Sequence, residues 1–363
     1  MTRPVGVAVV GCGTISDEYL RNMTAFGDLR VVFCADLDSD RARAQAAKFG
    51  VPGAGPTAQA LASPDVELVV NLTIPAAHAE VTSAALAAGK HVWSEKPLAL
   101  DVATGQRLLD EAARAGLRIG CAPDTVLGAG LQSARRLIES GAIGVPQTAL
   151  MLMQGPGPEG WHPDPAFLFQ RGAGPLFDMG PYYLSTLAML FGPAQRVAAV
   201  GRRGRDTRVI GSGPKQGTAF KVDVPTHVSA LIEYAQGQAA TVVLSFDSPL
   251  RRHGFIEITG TEATLATPDP NQFSGIVRTR TAVEDDWTPV PSTGAADGRG
   301  LGVLDMARGV RDGVPHRASG EIGLHVLEIM EAIERSIATS AFEPVRSTFT
   351  RSSALPPDWD PKG

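Results

Sequence analysis

The first 122 residues alternate between short apolar runs and segments with helical periodicity. A continuous apolar run such as Val5–Val10 is typical of a strand that is buried on both faces of a parallel sheet. Strand and helix in this rhythm predict right-handed βαβ units. The predicted strands are Val5–Val10, Leu29–Ala35, Val66–Leu72, His91–Ser94 and Arg118–Ala122, and the predicted helices are Ile15–Phe26, Arg41–Phe49, Ala76–Ala88 and Val102–Ala115.

From about Pro123 the pattern changes to longer β-rich runs that are separated by connections rich in glycine and proline. Hairpin-like breaks at Gln236-Gly237 and Gly260-Thr261 favour an antiparallel sheet. The segment 201–224 is rich in Gly, Arg and Lys and is predicted to be a mobile excursion. The predicted strands are Gln147–Gln154, Arg196–Gly201, Thr226–Ala235, Gln238–Phe246, Phe255–Thr259 and Ala263–Ala266, with helices at Leu131–Ser140 and Ser319–Thr339.

These patterns predict an α/β protein with two domains. Residues 1–122 form a doubly wound parallel Rossmann sheet, and residues 123–351 form an α+β domain with a largely antiparallel open sheet. Residues 352–363 are predicted to be a loosely held tail. A length of 363 residues fits two domains better than one core.

Composition narrows the class of protein. A net charge of −5 gives no indication of the positively charged surface that nucleic-acid binding requires. The cysteines Cys12, Cys34 and Cys121 have no metal-ligand spacing and are too few for a disulfide framework. No apolar run is long enough to cross a bilayer, and no secretory signal precedes the first strand. We therefore expect a cytoplasmic protein without a metal, a membrane contact or a nucleic-acid partner.

A dinucleotide fingerprint follows the first predicted strand. It reads G-x-G-x-x-S from Gly11 to Ser16, with a serine where the usual pattern has a third small residue, Gly or Ala. Gly11 permits the tight turn, and Gly13 allows close approach of the backbone to a pyrophosphate, which the helix N-terminus then faces. We expect Thr14 and Ile15 to complete this contact.

An acidic residue, Asp36, lies at the end of the second predicted strand, 20 residues after Ser16. A carboxylate at this place accepts hydrogen bonds from the adenosine ribose and repels a 2′-phosphate, which favours NAD. Arg41 and Arg43 follow closely and leave NADP open.

Further motifs carry a resemblance to a known family. They are Asn71-Leu-Thr-Ile-Pro75 with His78, the triplet Glu95-Lys96-Pro97, and Gly172-Ala-Gly174-Pro-Leu-Phe-Asp178-Met-Gly180. Together with the fingerprint they resemble the Gfo/Idh/MocA family of sugar and cyclitol dehydrogenases and reductases over nearly the whole chain. The resemblance implies a homo-dimer or homo-tetramer that is formed through the outer face of the C-terminal sheet. It also implies cofactor contacts from Asn71, Thr73, Pro75, His78, Glu95 and Lys96.

Hydride transfer to or from a sugar carbon needs a group that moves the hydroxyl proton and a cation or donor that polarises the oxygen. Lys96 follows a parallel strand and therefore points into the crevice where the cofactor binds. The resemblance implies that Lys96 contacts substrate and nicotinamide, and that Asp178 contacts substrate. The family usually has a catalytic histidine four residues after that acid, and this chain has Tyr182 instead.

Two residues compete for the proton transfer. Tyr182 would share a helix face with Asp178 and could serve if Lys96 favours its phenolate. His162 is the natural acid/base near neutral pH, and its neighbour Trp161 could stack on a sugar face. A further candidate for substrate binding is Asp124, which either binds a sugar hydroxyl or caps the helix that follows.

The sequence thus predicts an NAD(P)-dependent oxidoreductase that acts on a secondary hydroxyl or carbonyl of a sugar, cyclitol or glycoside. Two alternatives stay open. One is a glycoside hydrolase that works through transient oxidation on tightly held NAD. The other is a non-catalytic NAD-sensing regulator, although Lys96 and Asp178 argue against it.

Overall fold

The computed structural model describes residues 3–363, and its N-terminal part is the predicted parallel sheet. Six strands lie in the order β3-β2-β1-β4-β5-β6, and every neighbouring pair is parallel. The strands are β1 (Val5–Val10), β2 (Leu29–Ala35), β3 (Gly53–Gly55), β4 (Leu68–Asn71), β5 (His91–Ser94) and β6 (Ile119–Cys121), and the helices are α1 (Ser16–Met23), α2 (Ser39–Phe49), α3 (Thr57–Ala62), α4 (Pro75–Ala87) and α5 (Val102–Ala115).

The strand register aligns the carboxyl ends of the central strands. Val10 at the end of β1 lies beside Ala35 of β2 and Asn71 of β4, and Asn71 lies beside Ser94 of β5. The residues that follow these strands therefore meet at one edge of the sheet. This edge is where doubly wound sheets bind their ligands.

The C-terminal part contains a nine-stranded sheet in the order β16-β15-β14-β13-β7-β12-β11-β8-β17. Its pairs are antiparallel except for β12 with β7, which confirms the predicted largely antiparallel sheet. The strands are β7 (Pro146–Gln154), β8 (Ala194–Arg202), β9 (Thr207–Val209), β10 (Ala219–Lys221), β11 (His227–Tyr234), β12 (Ala239–Ser245), β13 (Arg252–Gly260), β14 (Ala263–Ala266), β15 (Val277–Thr281), β16 (Thr288–Val290) and β17 (Glu343–Pro344).

Five helices complete this part, and α8 is buried along its whole length. They are α6 (Ala129–Glu139), α7 (Gly174–Asp178), α8 (Gly180–Phe191), α9 (Leu301–Asp312) and α10 (Gly320–Thr339). Helix α10 packs against β8 and α8 and also touches α5 and β6. The amide of Cys121 donates to the carbonyl of Ala318, 3.0 Å away, so the chain returns to the edge of the Rossmann sheet. Within residues 3–363, no helix combines the length and hydrophobicity that a bilayer crossing requires.

Two predictions about loose segments are corrected. The excursion 201–224 forms the hairpin β9–β10, and Arg208 within it is buried between the carboxylates of Glu159 and Asp247. The tail 352–363 is held by the buried side chain of Leu355, whose amide donates to the Gln132 side chain, 2.7 Å away. In both segments, a few buried side-chain contacts anchor a stretch whose composition is typical of a loop.

Candidate active site

The dinucleotide loop has room for a phosphate group. Gly11 has a φ of +96°, and a Cβ at that position would lie 2.7 Å from the carbonyl carbon of Leu72. A Cβ at Gly13 would meet nothing within 4 Å, so the loop is open on its outer side. Helix α1 begins there without a side-chain cap, and the amide of its first residue, Ser16, donates to the carbonyl of Gly13 at 3.0 Å. Among residues 3–363, the amides of Gly13, Thr14 and Ile15 donate no hydrogen bond and are therefore available to an anion. These features fit a bound dinucleotide, with Thr14 exposed and Ile15 half-buried at the turn.

Asp36 supports this loop from the neighbouring strand end. Its Oδ2 accepts the amide of Cys12, 2.8 Å away, and its Oδ1 accepts the amide of Asp38 at 2.9 Å. Arg41 lies 3.4 Å from the same carboxylate and also pairs with Asp38. Arg41, one of the two arginines that left NADP open as a cofactor, is thus paired with two carboxylates.

Asn71 and His78, which were predicted to contact the cofactor, lie behind the edge of the sheet where the cofactor is expected. Both are completely buried. Asn71 Oδ1 accepts the Thr73 hydroxyl at 2.6 Å, and the two ring nitrogens of His78 face the carbonyls of Thr73 (2.9 Å) and Pro97 (2.7 Å). They therefore hold the turns after β4 and β5, while Thr73 is half-buried and Pro75 is exposed at the edge itself.

Glu95 connects the lysine triplet to the cofactor helix. Its Oε1 accepts the hydroxyl of Tyr19 on α1, 2.8 Å away, and its Oε2 accepts the amide of Lys96 at 3.1 Å. The indole of Trp93 donates to the same tyrosine oxygen at 3.3 Å. The buried hydroxyl of Tyr19 thus links α1 to the turn that carries Lys96.

Lys96, Asp178 and Tyr182 meet at the boundary between the two parts of the chain. The Lys96 ammonium lies 2.9 Å from the Asp178 carbonyl and 3.2 Å from its Oδ1. It also lies 5.2 Å from the centre of the Tyr182 ring. Asp178 is the last residue of α7, and Tyr182 lies in the first turn of α8. A short break at Met179 therefore interrupts the single helix on which these two residues would share a face.

The electrostatics of this cluster decide what Lys96 can do. Burial disfavours its ammonium form, but Asp178, Tyr182 and Glu95 outweigh that effect, and the pKa of Lys96 is raised above its usual value. Lys96 is therefore charged at neutral pH. It can donate a hydrogen bond to a substrate oxygen, but it is not a proton acceptor.

Asp124 makes its contacts with the segment that leads into α9. It is completely buried, and its Oδ2 accepts the amides of Gly300 (2.7 Å) and Gly302 (3.3 Å) at the start of α9. Its Oδ1 pairs with Arg299 at 3.1 Å. Asp124 therefore caps a helix that is distant in sequence, whereas the sequence predicted a cap on the helix that follows it.

The residues Trp161 and His162 lie in the loop after β7. Their rings are 5.6 Å apart, and the His162 ring is 5.5 Å from that of the exposed Phe167. His162 Nδ1 accepts the amide of Asp164 at 3.0 Å. Among residues 3–363, no hydrogen bond or ring contact joins His162 to Lys96, Asp178 or Tyr182. The structure thus brings three of the four predicted catalytic residues together and leaves His162 apart.

Sequence reasoning missed Arg299, which lies next to Tyr182. Its Nη2 is 3.2 Å from the Tyr182 hydroxyl oxygen and 3.3 Å from Asn271 Oδ1. The available signal was weak: Gly298 and Gly300 flank the arginine, and both have positive φ values. The pattern predicted no helix after Gly300, so nothing placed this arginine near the site.

Two family models match the chain. Residues 5–122 match the model described as an oxidoreductase family with an NAD-binding Rossmann fold. Residues 131–266 match the GFO/IDH/MocA C-terminal domain. Between them the two models span most of both parts of the fold.

Individual relatives agree with these models. An uncharacterized oxidoreductase of Rhizobium meliloti is 29% identical over 355 residues, which cover 94% of this chain and 99% of the relative. The dTDP-3,4-didehydro-2,6-dideoxy-alpha-D-glucose 3-reductase of Streptomyces violaceoruber is 31% identical over 240 residues, which cover 66% of this chain and 69% of that enzyme. Among solved structures, levoglucosan dehydrogenase in complex with NADH and L-sorbose has the same fold, with a TM-score of 0.83 at 21% identity, covering 95% of this chain and 100% of that one.

Proposed function

This chain belongs to the Gfo/Idh/MocA oxidoreductase family, and from that premise we propose that it transfers hydride between NAD and a secondary hydroxyl or carbonyl of a sugar, cyclitol or glycoside. The observation that carries the proposal is the cluster of Lys96, Asp178 and Tyr182 at the carboxyl edge of an NAD-binding Rossmann domain. The relatives support the substrate class, since one reduces a dTDP-linked sugar and a structural neighbour binds L-sorbose.

Tyr182 moves the proton in this proposal. In the reductive direction its hydroxyl donates a proton to the substrate carbonyl oxygen as the carbon receives hydride, and in the oxidative direction its phenolate takes the hydroxyl proton as the carbon loses hydride. The nicotinamide ring, when bound, supplies or accepts that hydride. Lys96 donates to the same substrate oxygen and stabilises the charge that develops on it.

Asp178 orients the reacting groups. Its carboxylate and its carbonyl fix two of the three donors of the Lys96 ammonium, which leaves one donor for the substrate. The carboxylate, which is partly exposed, also accepts a hydrogen bond from a neighbouring substrate hydroxyl. Trp161, with 65% of its surface exposed, offers a sugar-stacking face on the loop after β7.

We also propose NAD rather than NADP as the working cofactor. Asp36 faces the dinucleotide loop, and Arg41 and Arg43 are both paired with aspartates. A 2′-phosphate would therefore meet a carboxylate without a free guanidinium to neutralise it.

The test is a panel of sugars, cyclitols and glycosides with NAD and NADP, followed at the nicotinamide absorbance band. We expect a substrate-dependent absorbance change with NAD, and its loss in Lys96→Ala while NAD binding persists. Unchanged turnover in Lys96→Ala would remove Lys96 from the mechanism. NAD binding without an absorbance change for any substrate would favour a regulator, and glycoside cleavage without added NAD would favour the hydrolase.

A further inference from the structure

We propose that Arg299 is a positioning residue for proton transfer: it holds the phenolic oxygen of Tyr182 and leaves the hydroxyl proton directed at the substrate. The proposal rests on the proposed function, in which Tyr182 moves the proton. It adds a second cation to the site, supplied by the segment before α9 rather than by the Rossmann edge.

The direction of the hydrogen bond follows from the chemistry of arginine. The guanidinium has donors only, so the Tyr182 oxygen must be the acceptor in the 3.2 Å contact with Arg299 Nη2. The Tyr182 proton must then point elsewhere. Among residues 3–363, no protein acceptor takes it. The phenol thus presents a free proton at the boundary between the two parts of the chain, where Lys96 also lies.

Two cations from separate elements lie against the ring of Tyr182. The Lys96 ammonium is 5.2 Å and the Arg299 guanidinium carbon 5.5 Å from the ring centre. Lys96 is also paired with Asp178, and Arg299 with Asp124. These contacts fix the ring and the hydroxyl of Tyr182 between the Rossmann edge and the segment before α9.

Arg299 is held firmly enough to act in this way. Asp124 and Asn271 accept from its guanidinium, and its backbone carbonyl accepts from Asn22 on α1, 2.8 Å away. Burial disfavours the charge on Arg299, but Asp124, Tyr182, Tyr19 and Glu95 outweigh it, and its pKa is raised above the usual value. Asn22 also ties the arginine to the helix that faces the cofactor.

A purely structural role does not explain the contact with Tyr182. The amides at the start of α9 are capped by Asp124 directly, through Gly300 and Gly302. Tyr182 in turn is anchored by its own helix α8. The link between the two side chains is therefore not needed for capping, and it is available for chemistry.

The split between turnover and cofactor affinity tests this role. A residue that directs the Tyr182 proton should affect the chemical step and leave the binding of NAD to the Rossmann part largely unchanged. Tyr182→Phe, which removes the proton itself, sets the scale of the effect on kcat.

We expect Arg299→Gln to lower kcat by about tenfold or more with little change in NAD affinity, because the guanidinium no longer holds the Tyr182 oxygen and a positioned proton donor contributes about 10²–10⁴-fold to turnover. Arg308→Gln is the matched control, since Arg308 lies on α9, pairs with Asp28 and stacks on Trp359, away from Tyr182. It should leave kcat unchanged. Equal kcat values in wild type and Arg299→Gln overturn the proposal.

A second variant guards against a failure to fold. Arg299→Lys keeps a cation beside Asp124 but lacks the second guanidinium nitrogen that reaches Tyr182, and we expect kcat to fall in this variant as well. A wild-type kcat in Arg299→Lys also overturns the proposal. In a Tyr182→Phe background Arg299→Gln should lower kcat no further, and a fall as large as in the wild-type background overturns the proposal. If Tyr182→Phe alone keeps full turnover, the proposed function of Tyr182 fails.

Discussion

Asp36 holds the dinucleotide loop at the place where the ligand is expected. Its carboxylate accepts the Cys12 amide inside the loop, and it lies at the strand end where the adenosine ribose is expected. The sequence could predict a role in ribose binding from the spacing to Ser16. It could not predict the contact with the Cys12 amide, because the hydrogen bond depends on how β1 and β2 align.

We expect Asp36→Ala to weaken NAD binding by about tenfold to a hundredfold, since hydrogen bonds to a charged group contribute about 1.5–3 kcal/mol each. Titration calorimetry with NAD measures the loss. Asp38→Ala is the matched control, because Asp38 is exposed and caps α2 without touching the loop. Equal affinity in Asp36→Ala and wild type would show that this carboxylate does not hold the ribose.

At the scale of elements, single buried side chains join segments that are remote in sequence. Arg208 on β9 binds Glu159 and Asp247 and also donates to the carbonyls of Pro156 and Phe246. The hairpin thus holds the base of the loop that carries Trp161 and His162. Composition favoured a mobile excursion here, because the pattern could not show that one arginine turns inward.

Removing Arg208 should therefore destabilise the protein. In Arg208→Met the carboxylates of Glu159 and Asp247 lose their partner while they stay largely buried, and we expect a loss of about 3–5 kcal/mol in the free energy of unfolding. Urea unfolding measures it. Arg205→Met, at an exposed position on the same segment, is the control and should change the free energy little. A similar result for both variants would contradict the anchoring role.

His325 joins α10 to β8 in a way that depends on pH. Its Nε2 accepts the Ala194 amide at 2.9 Å, so the ring must be neutral, and burial lowers the pKa of His325 from 6.5 to about 4. Between pH 6.5 and about pH 4, the unfolded chain binds a proton at His325 more readily than the folded chain does. The stabilisation is complete above the unfolded value and is lost as the pH falls from 6.5 towards 4.

We expect this residue to contribute about 3 kcal/mol to the loss of stability on acidification. His325→Gln should reduce the difference between unfolding free energies measured near neutral pH and near the lower pKa. Some decline should remain, because burial also lowers the pKa values of His91 and His316. The exposed His253→Gln serves as the control. A decline in His325→Gln as steep as in wild type would contradict this account.

At the scale of the whole molecule, the apolar pattern predicted the parallel sheet and the mostly antiparallel sheet, because strands of both kinds are visible in short local stretches of sequence. The elements that this pattern did not predict depend on contacts between the two parts of the chain. Helix α9 follows a glycine-rich stretch without a clear helix start, and its N-terminus is completed by Asp124 from the other part of the chain. Arg299 was missed for the same reason, since its place is set by that junction.

The outer face of the nine-stranded sheet bears on the assembly of the molecule. The strand register aligns Ala198, Leu231, Thr241 and Leu150 in one row, and Val200, Ser229, Val243, Leu152 and Phe255 in a second row. Most of these side chains are apolar, and three of the apolar ones, Leu150, Leu231 and Val200, are exposed. A largely apolar exposed face is typical of a surface that is covered by another protein.

We propose that two copies of this chain pair through that face, and Leu231 near its centre provides the test. Leu231→Glu would bury a charge without a partner in the dimer, and we expect it to shift the protein to monomers in light scattering after size exclusion. Val283→Glu, at a fully exposed turn between β15 and β16, adds the same charge away from the face and should leave the mass unchanged. Because the active-site cluster lies between the two parts of one chain, the monomeric variant should retain NAD binding. A wild-type protein that is already monomeric, or a Leu231→Glu variant of unchanged mass, would exclude this face as the interface.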